Sequence, residues 1–230
     1  MKHMILCILV FLVISLLFSS TRIDQPIENF LDLKQIEIET NSSLFKIKMQ
    51  NNEQVLQVMN NVYNTEIDEK TGKPTDDVRG KVILLGPVHT DYSMEADMKF
   101  LGHHLEMEAA GWFGFVVRAQ DCDNYEVVWF MPGAEGESSV AYLPVAHGIV
   151  PWWTEAYSTQ KKGSVPVPKN KWFRARVDVI GDELSAYLGD NFIFKKKLSY
   201  YLKEGRPGFF VGSSTDVVFR RIKIKVIKKK

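Results

Sequence analysis

The stretch Ala110–Met131, AGWFGFVVRAQDCDNYEVVWFM, reads as two strands joined by a turn. Side chains alternate across a strand. Phe113, Phe115, Val117 and Ala119 therefore share one face, and Trp112, Gly114, Val116 and Arg118 share the other. The first row is solidly apolar and belongs in a core. The second mixes a large aromatic, a glycine, a valine and a cation, which suits a half-exposed surface that binds something. Asp121-Cys122-Asp123-Asn124 interrupts with turn chemistry, and Tyr125–Met131 resumes with β-branched and aromatic residues. The stretch predicts a β-hairpin at the centre of a sandwich.

The same alternation recurs on both sides. In Ser93–Phe100, Met94, Ala96, Met98 and Phe100 face in while Glu95, Asp97 and Lys99 face out. In Trp172–Ile180, Phe173, Ala175, Val177 and Val179 oppose Arg174, Arg176 and Asp178. Gly181-Asp182 turns this strand back into Glu183–Leu188. Further strands are predicted at Gln35–Glu39, Leu44–Met49, Gln54–Met59, Lys81–Leu85, Val140–Leu143, Gly148–Tyr157, Phe192–Lys197, Gly208–Gly212 and Val217–Ile227. Pro144 should end its strand or push it to a sheet edge, and Leu198–Leu202 reads as a single helical turn. Many short strands with regular turn signals predict an all-β, two-sheet antiparallel β-sandwich of the jelly-roll kind.

Met1–Ser20 lies outside that fold. Lys2 and His3 precede an apolar run from Met4 to Phe18, the pattern of a signal peptide; an uncleaved N-terminal anchor is the alternative and the one route to a membrane. Residues 21–230 are then one domain, expected to be secreted or extracytoplasmic. Without the leader, Cys122 is the sole cysteine, so no intramolecular disulfide forms and the apolar core must carry the fold. With 29 Lys and Arg against 28 Asp and Glu, the chain lacks the basic excess of a nucleic-acid binder. It carries neither a Cys/His zinc spacing nor a Gly-rich phosphate loop.

Several residues are candidates for chemistry. Glu95 and Asp97 share a strand face and could act as nucleophile and general acid in glycoside hydrolysis, with Asp121 and Asp178 as weaker candidates; a solvated charged face is the plainer reading. Asp121, Asp123 and Asn124 offer oxygens at the spacing of a calcium site or of an Asx-type turn. His103-His104 reads as a surface turn. Exposed indoles stack on the apolar faces of sugar rings, which makes Trp112, Trp129 and Trp152 ligand candidates. Trp152 and its neighbour Trp153 must point to opposite faces of one strand. Arg118 could give a planar fork of donors to hydroxyls, and Tyr125 could stack or donate.

The order of these segments resembles the concanavalin A-like lectin/glucanase superfamily, most nearly its laminin G-like and 3-keto-disaccharide hydrolase-like domains. The resemblance rests on Asp91–Phe100, Gly111–Tyr125, Trp172–Gly181 with Leu184–Gly189, and Gly205–Gly212 with Phe219. It implies a jelly roll over residues 40–227 and a glycan bound on a concave sheet face, with Trp112, Arg118, Tyr125, Trp129 and Trp152 as contacts. The laminarinase-type members carry E-x-D-x-x-E or E-x-D-x-x-x-E. Here Glu95-Ala96-Asp97 is followed by Met98, Lys99, Phe100 and Leu101, so the last acid is missing. The expectation is therefore a carbohydrate-recognition domain without a cofactor. A 3-keto-disaccharide hydrolase-like glycosidase and a laminin G-like protein-interaction module are the alternatives.

Overall fold

Thirteen strands and no helix make up the described part of the chain, in a computed structural model that describes residues 30–40, 45–60, 80–103, 111–132, 140–148, 166–198, 202–212 and 215–228. The strands are β1 (Ile38–Thr40), β2 (Phe45–Gln50), β3 (Glu53–Asn60), β4 (Lys81–Leu85), β5 (Tyr92–His103), β6 (Phe113–Ala119) and β7 (Tyr125–Phe130). They continue with β8 (Val140–Val145), β9 (Phe173–Ile180), β10 (Glu183–Leu188), β11 (Asn191–Lys197), β12 (Arg206–Val211) and β13 (Thr215–Val226). All pairings are antiparallel. Six strands run in the order β1-β4-β12-β6-β7-β8 and seven in the order β11-β10-β9-β5-β13-β3-β2.

The fold is the all-β, two-sheet jelly-roll sandwich that the alternation predicts. Phe113, Phe115 and Val117 are fully buried between the sheets with Met94, Ala96, Met98, Val177 and Val179. Phe209 of β12 stacks on Phe219 of β13 with ring centroids 3.9 Å apart, joining one sheet to the other. Each such ring contributes about 1.5–3 kcal/mol by leaving water. Pro144 sits within β8, the outer strand of its sheet among the described strands, the place in a sheet where proline is tolerated. Residues 149–157 of the strand predicted at Gly148–Tyr157, which include Trp152, lie outside the described residues, as does the leader. So do residues 199–201 of the predicted helical turn.

Two of the register shifts between paired strands are β-bulges that redirect arginines. In β6, three steps from Val116 to Ala119 oppose two steps from Gly208 to Arg206, and Arg118 takes a φ of 50°. In β13 the register shifts between Arg220 and Lys223, and Arg221 also takes a φ of 50°. The second bulge lets Val217 and Phe219 face the interior before it and Ile222 after it. Val226 lies beyond the core at the strand end and is 47% exposed.

Candidate functional site

The face expected to bind sugar is closed. The outer side of the six-stranded sheet carries Val82, Leu84, Val116, Val127, Leu143, Val145 and Phe210, all buried, in a second apolar cluster of its own. Tyr125 is 1% exposed within it and packs near Phe210, so its ring and hydroxyl are not on an open surface. Burial pushes the Tyr125 hydroxyl well above the ordinary phenol range, with Asp123 and Cys122 adding to the shift. Trp129 is 7% exposed and stacks on Trp112 at 5.3 Å. Trp112 stays half-buried at the border of the cluster, its indole lying over Gly212, where a Cβ would collide with the ring.

Arg118 is the main correction. Alternation puts it beside Val116 on the outer face, but the bulge turns it toward the end of the interior, where it is 2% exposed. Its guanidinium donates to the carbonyls of Thr90 (3.0 Å), Leu202 and Gly181, and Asp91 lies 3.8 Å away. Asp91 in turn accepts from the Gly181 amide at 2.9 Å. The Arg118 amide donates to Tyr92 Oη at 3.1 Å, and burial drives that hydroxyl's pKa strongly upward. The donors expected to reach sugar hydroxyls are used to fasten three chain segments together. A second buried polar pair, with Tyr142 donating to Glu126 Oε2 at 2.5 Å, also lies in the interior.

The outer face of the seven-stranded sheet is the open one. Across β9, β5 and β13, Arg176, Glu95 and Lys223 form one row, and Arg174, Asp97 and Arg220 form the next. Asp97 accepts from Arg220 Nε at 3.2 Å and faces Arg221 at 3.6 Å; Lys223 stands 4.0 Å from Glu95, and Arg176 Nε stands 3.3 Å from Asp178. Arg176 also stacks over Tyr187, and Arg220 over Trp172. Glu95 and Asp97 are thus bracketed by cations, and Asp178 lies beside Arg176, rather than any two of them being paired with each other.

In the β6–β7 turn, Asp121 Oδ1 accepts from the amides of Asp123 (2.8 Å) and Asn124 (2.7 Å), and the Asn124 side chain donates to both carboxylate oxygens. Burial pushes the Asp121 carboxyl up, but the donors from Asn124 and Asp123 outweigh it and hold it below the usual range. Asp121 is bound up as in an Asx-type turn. Among the described residues no group of three or more His, Cys, Asp or Glu side chains is placed to hold a metal ion.

Sequence reasoning missed a cavity of about 280 Å³ beside the β2–β3 turn, lined by Phe30, Asp32, Asn52, Glu53, Gln54 and Arg221, with Leu31, Leu33 and Ile222 completing it. The segment before β1 is pinned there. Leu31 N–H donates to the Ile222 carbonyl, Leu33 N–H to Gln54 Oε1, and Gln54 Nε2 to Asp32 Oδ1. Gln54 and the Lys34 amide hold the Asp32 carboxyl below its ordinary pKa. Glu53 takes bonds from Arg220 (2.9 Å) and Arg221 Nε (2.7 Å), and this raises the Arg221 pKa. Phe30 is 46% exposed and holds Lys223 over its ring. The signals for this site were a lone aromatic in a polar lead-in, the Asn51-Asn52 doublet between two strands, and the Arg220-Arg221 doublet that breaks alternation.

No protein-family model matches the sequence, and no curated protein matches it either. Solved structures do. The chain is similar to the carbohydrate-binding module CBM66 from Bacillus subtilis, at 15% identity and a TM-score of 0.57, over 82% of this chain and 94% of that one. It is similar to a protein of unknown function with a galectin-like fold from Bacillus subtilis, at 11% identity and a TM-score of 0.54, over 89% and 95%. It is also similar to a Bacillus licheniformis β-glucanase, at 8% identity and a TM-score of 0.50, over 87% and 95%. At such identities the likeness is one of fold.

Proposed function

We propose, with the jelly-roll sandwich as premise, that this chain is a carbohydrate-recognition domain that binds glycans without cleaving them. The scaffold is shared with a carbohydrate-binding module and a β-glucanase, and the resemblance to the concanavalin A-like superfamily fits both. The observation that carries recognition over hydrolysis is the charge lattice around Glu95, Asp97 and Asp178. Glycoside hydrolysis needs one carboxyl kept protonated in an apolar setting and a second one facing it across the bond. Glu95 and Asp97, each with a cation on either side, and Asp178, held beside Arg176, supply neither. Export by the Met1–Ser20 segment would bring the domain to extracellular glycans.

The test is affinity electrophoresis of the purified protein through gels containing soluble β-glucan, xylan, mannan or α-glucan, with reducing ends assayed in parallel. Retardation by at least one polysaccharide without release of reducing sugar is expected. No retardation in any gel, or steady release of reducing sugar that Glu95→Gln or Asp97→Asn abolishes, overturns the reading.

A further inference from the structure

We infer that the cavity under Phe30 is the sugar-contacting site, and that it takes a single neutral terminal sugar ring; this rests on the carbohydrate-recognition reading. Size comes first. Pockets for drug-sized ligands run to roughly 300–1,000 Å³, and this one, at about 280 Å³, has room for one ring rather than a run of them.

Chemistry comes second. A pyranose offers apolar C–H faces and a rim of hydroxyls that both donate and accept. The cavity offers a matching set. Phe30 is the exposed aromatic at its border, and Leu33 and Ile222, 3% and 2% exposed, join it to the core. Asp32 gives Oδ1 to Gln54 and Lys34, while Oδ2 accepts no hydrogen bond among the described residues. Arg221 gives Nε and Nη2 to Glu53 and turns Nη1 toward Asp97 at 3.6 Å, so it borders the cavity as a fixed, charge-paired group. The Asn52 amide, which can donate and accept, is uncommitted among the described residues.

Preorganisation comes third. Gln54 holds Asp32 and Glu53 holds Arg221, so the polar groups need little ordering on binding. Charge then selects the ligand. Glu53 and Asp97 share Arg220 and Arg221, and Asp32 is offset by Lys223 over the Phe30 ring, so no single sign of charge dominates the cavity and an ionised sugar gains nothing there.

The experiment is ¹H–¹⁵N NMR titration of the protein with the methyl glycosides of glucose, galactose, mannose and xylose, following the Asn52 side-chain amide and Arg221 Nε–H. At least one glycoside should shift both signals. Phe30→Ala should weaken that binding about tenfold or more. Asn52→Gly, which keeps the turn's φ, and Asp32→Asn should weaken it as well, while Lys99→Ala on the open sheet face leaves it unchanged. Polysaccharide retardation with no shift at Asn52 or Arg221 would overturn this site and leave recognition standing. So would binding that Trp112→Ala abolishes and Phe30→Ala leaves intact. Neither retardation nor shift would overturn both.

Discussion

The two outer faces of this sandwich differ as sharply as an inside and an outside. On the six-stranded sheet, Val82, Val116, Val127 and Phe210 are shut away from solvent. On the seven-stranded sheet, arginines and carboxylates alternate across neighbouring strands in the open. One strand pattern underlies both, since every second residue turns outward. What differs is the residue placed there: valine and phenylalanine on one sheet, Arg, Lys, Glu and Asp on the other. A glycine, a valine and an indole beside an apolar row mark a second buried face more reliably than a binding surface.

The largest effect should come from charging the closed face. Val127→Asp places an uncompensated carboxylate where no water reaches, costing several kcal/mol, against a total stability of roughly 5–15 kcal/mol for such a domain. Urea denaturation should find the variant largely unfolded. Lys99→Asp on the open face should stay within about 0.5 kcal/mol of the parent. Equal tolerance of the two would erase the distinction.

Next in size is Arg118→Met. It leaves Asp91 buried beside three carbonyls that lose their donor, a loss of about 3–5 kcal/mol. Denaturation should detect it, and glycan binding measured on the remaining folded fraction should be unchanged. Lost binding with unchanged stability would return Arg118 to the ligand-contacting role that strand alternation suggests.

The alkaline limb comes third. The folded-state pKa values of Tyr92 and Tyr125 are raised by burial, so both must stay protonated in the fold. Stability is therefore intact below the unfolded tyrosine pKa near 10 and declines as pH rises beyond it, because the unfolded chain can ionise and the folded chain cannot. Absorbance of phenolate should rise for the exposed tyrosines first and for these two only as the chain unfolds.

Smallest of all is Asp97→Asn. Removing one carboxylate from a partly exposed lattice should cost about 1 kcal/mol or less, and the difference should shrink in high salt. A large, salt-independent loss would mean that the lattice behaves as an interior.

The alternation made the sandwich legible because the two-residue period of a strand survives in any sequence with one buried face. Phe113, Phe115, Met94, Val177 and Val179 all fall inside as read. The site was less legible. Arg118 was misplaced because a bulge of one residue reverses side-chain direction and leaves no composition signal. Tyr125 and Trp129 were read as surface groups because a phenol and an indole carry polar handles suited to a ligand, although the nearly unbroken apolar run of β7 is the mark of a strand covered on both faces. The Phe30 cavity stayed hidden because it joins residues from the lead-in, a turn and the last strand, whose meeting depends on tertiary pairing.

The placement of β13 carries a consequence for assembly. It lies between β5 and β3 in the seven-stranded sheet, yet the ribosome makes it after both. Until it arrives, the ribbon of β5 with β9, β10 and β11 and the pair β2–β3 each present a bare edge to solvent. Nascent chains should therefore linger in a sticky, half-zipped form, and a chaperone that shields strand edges would raise the yield more than any gain in native stability.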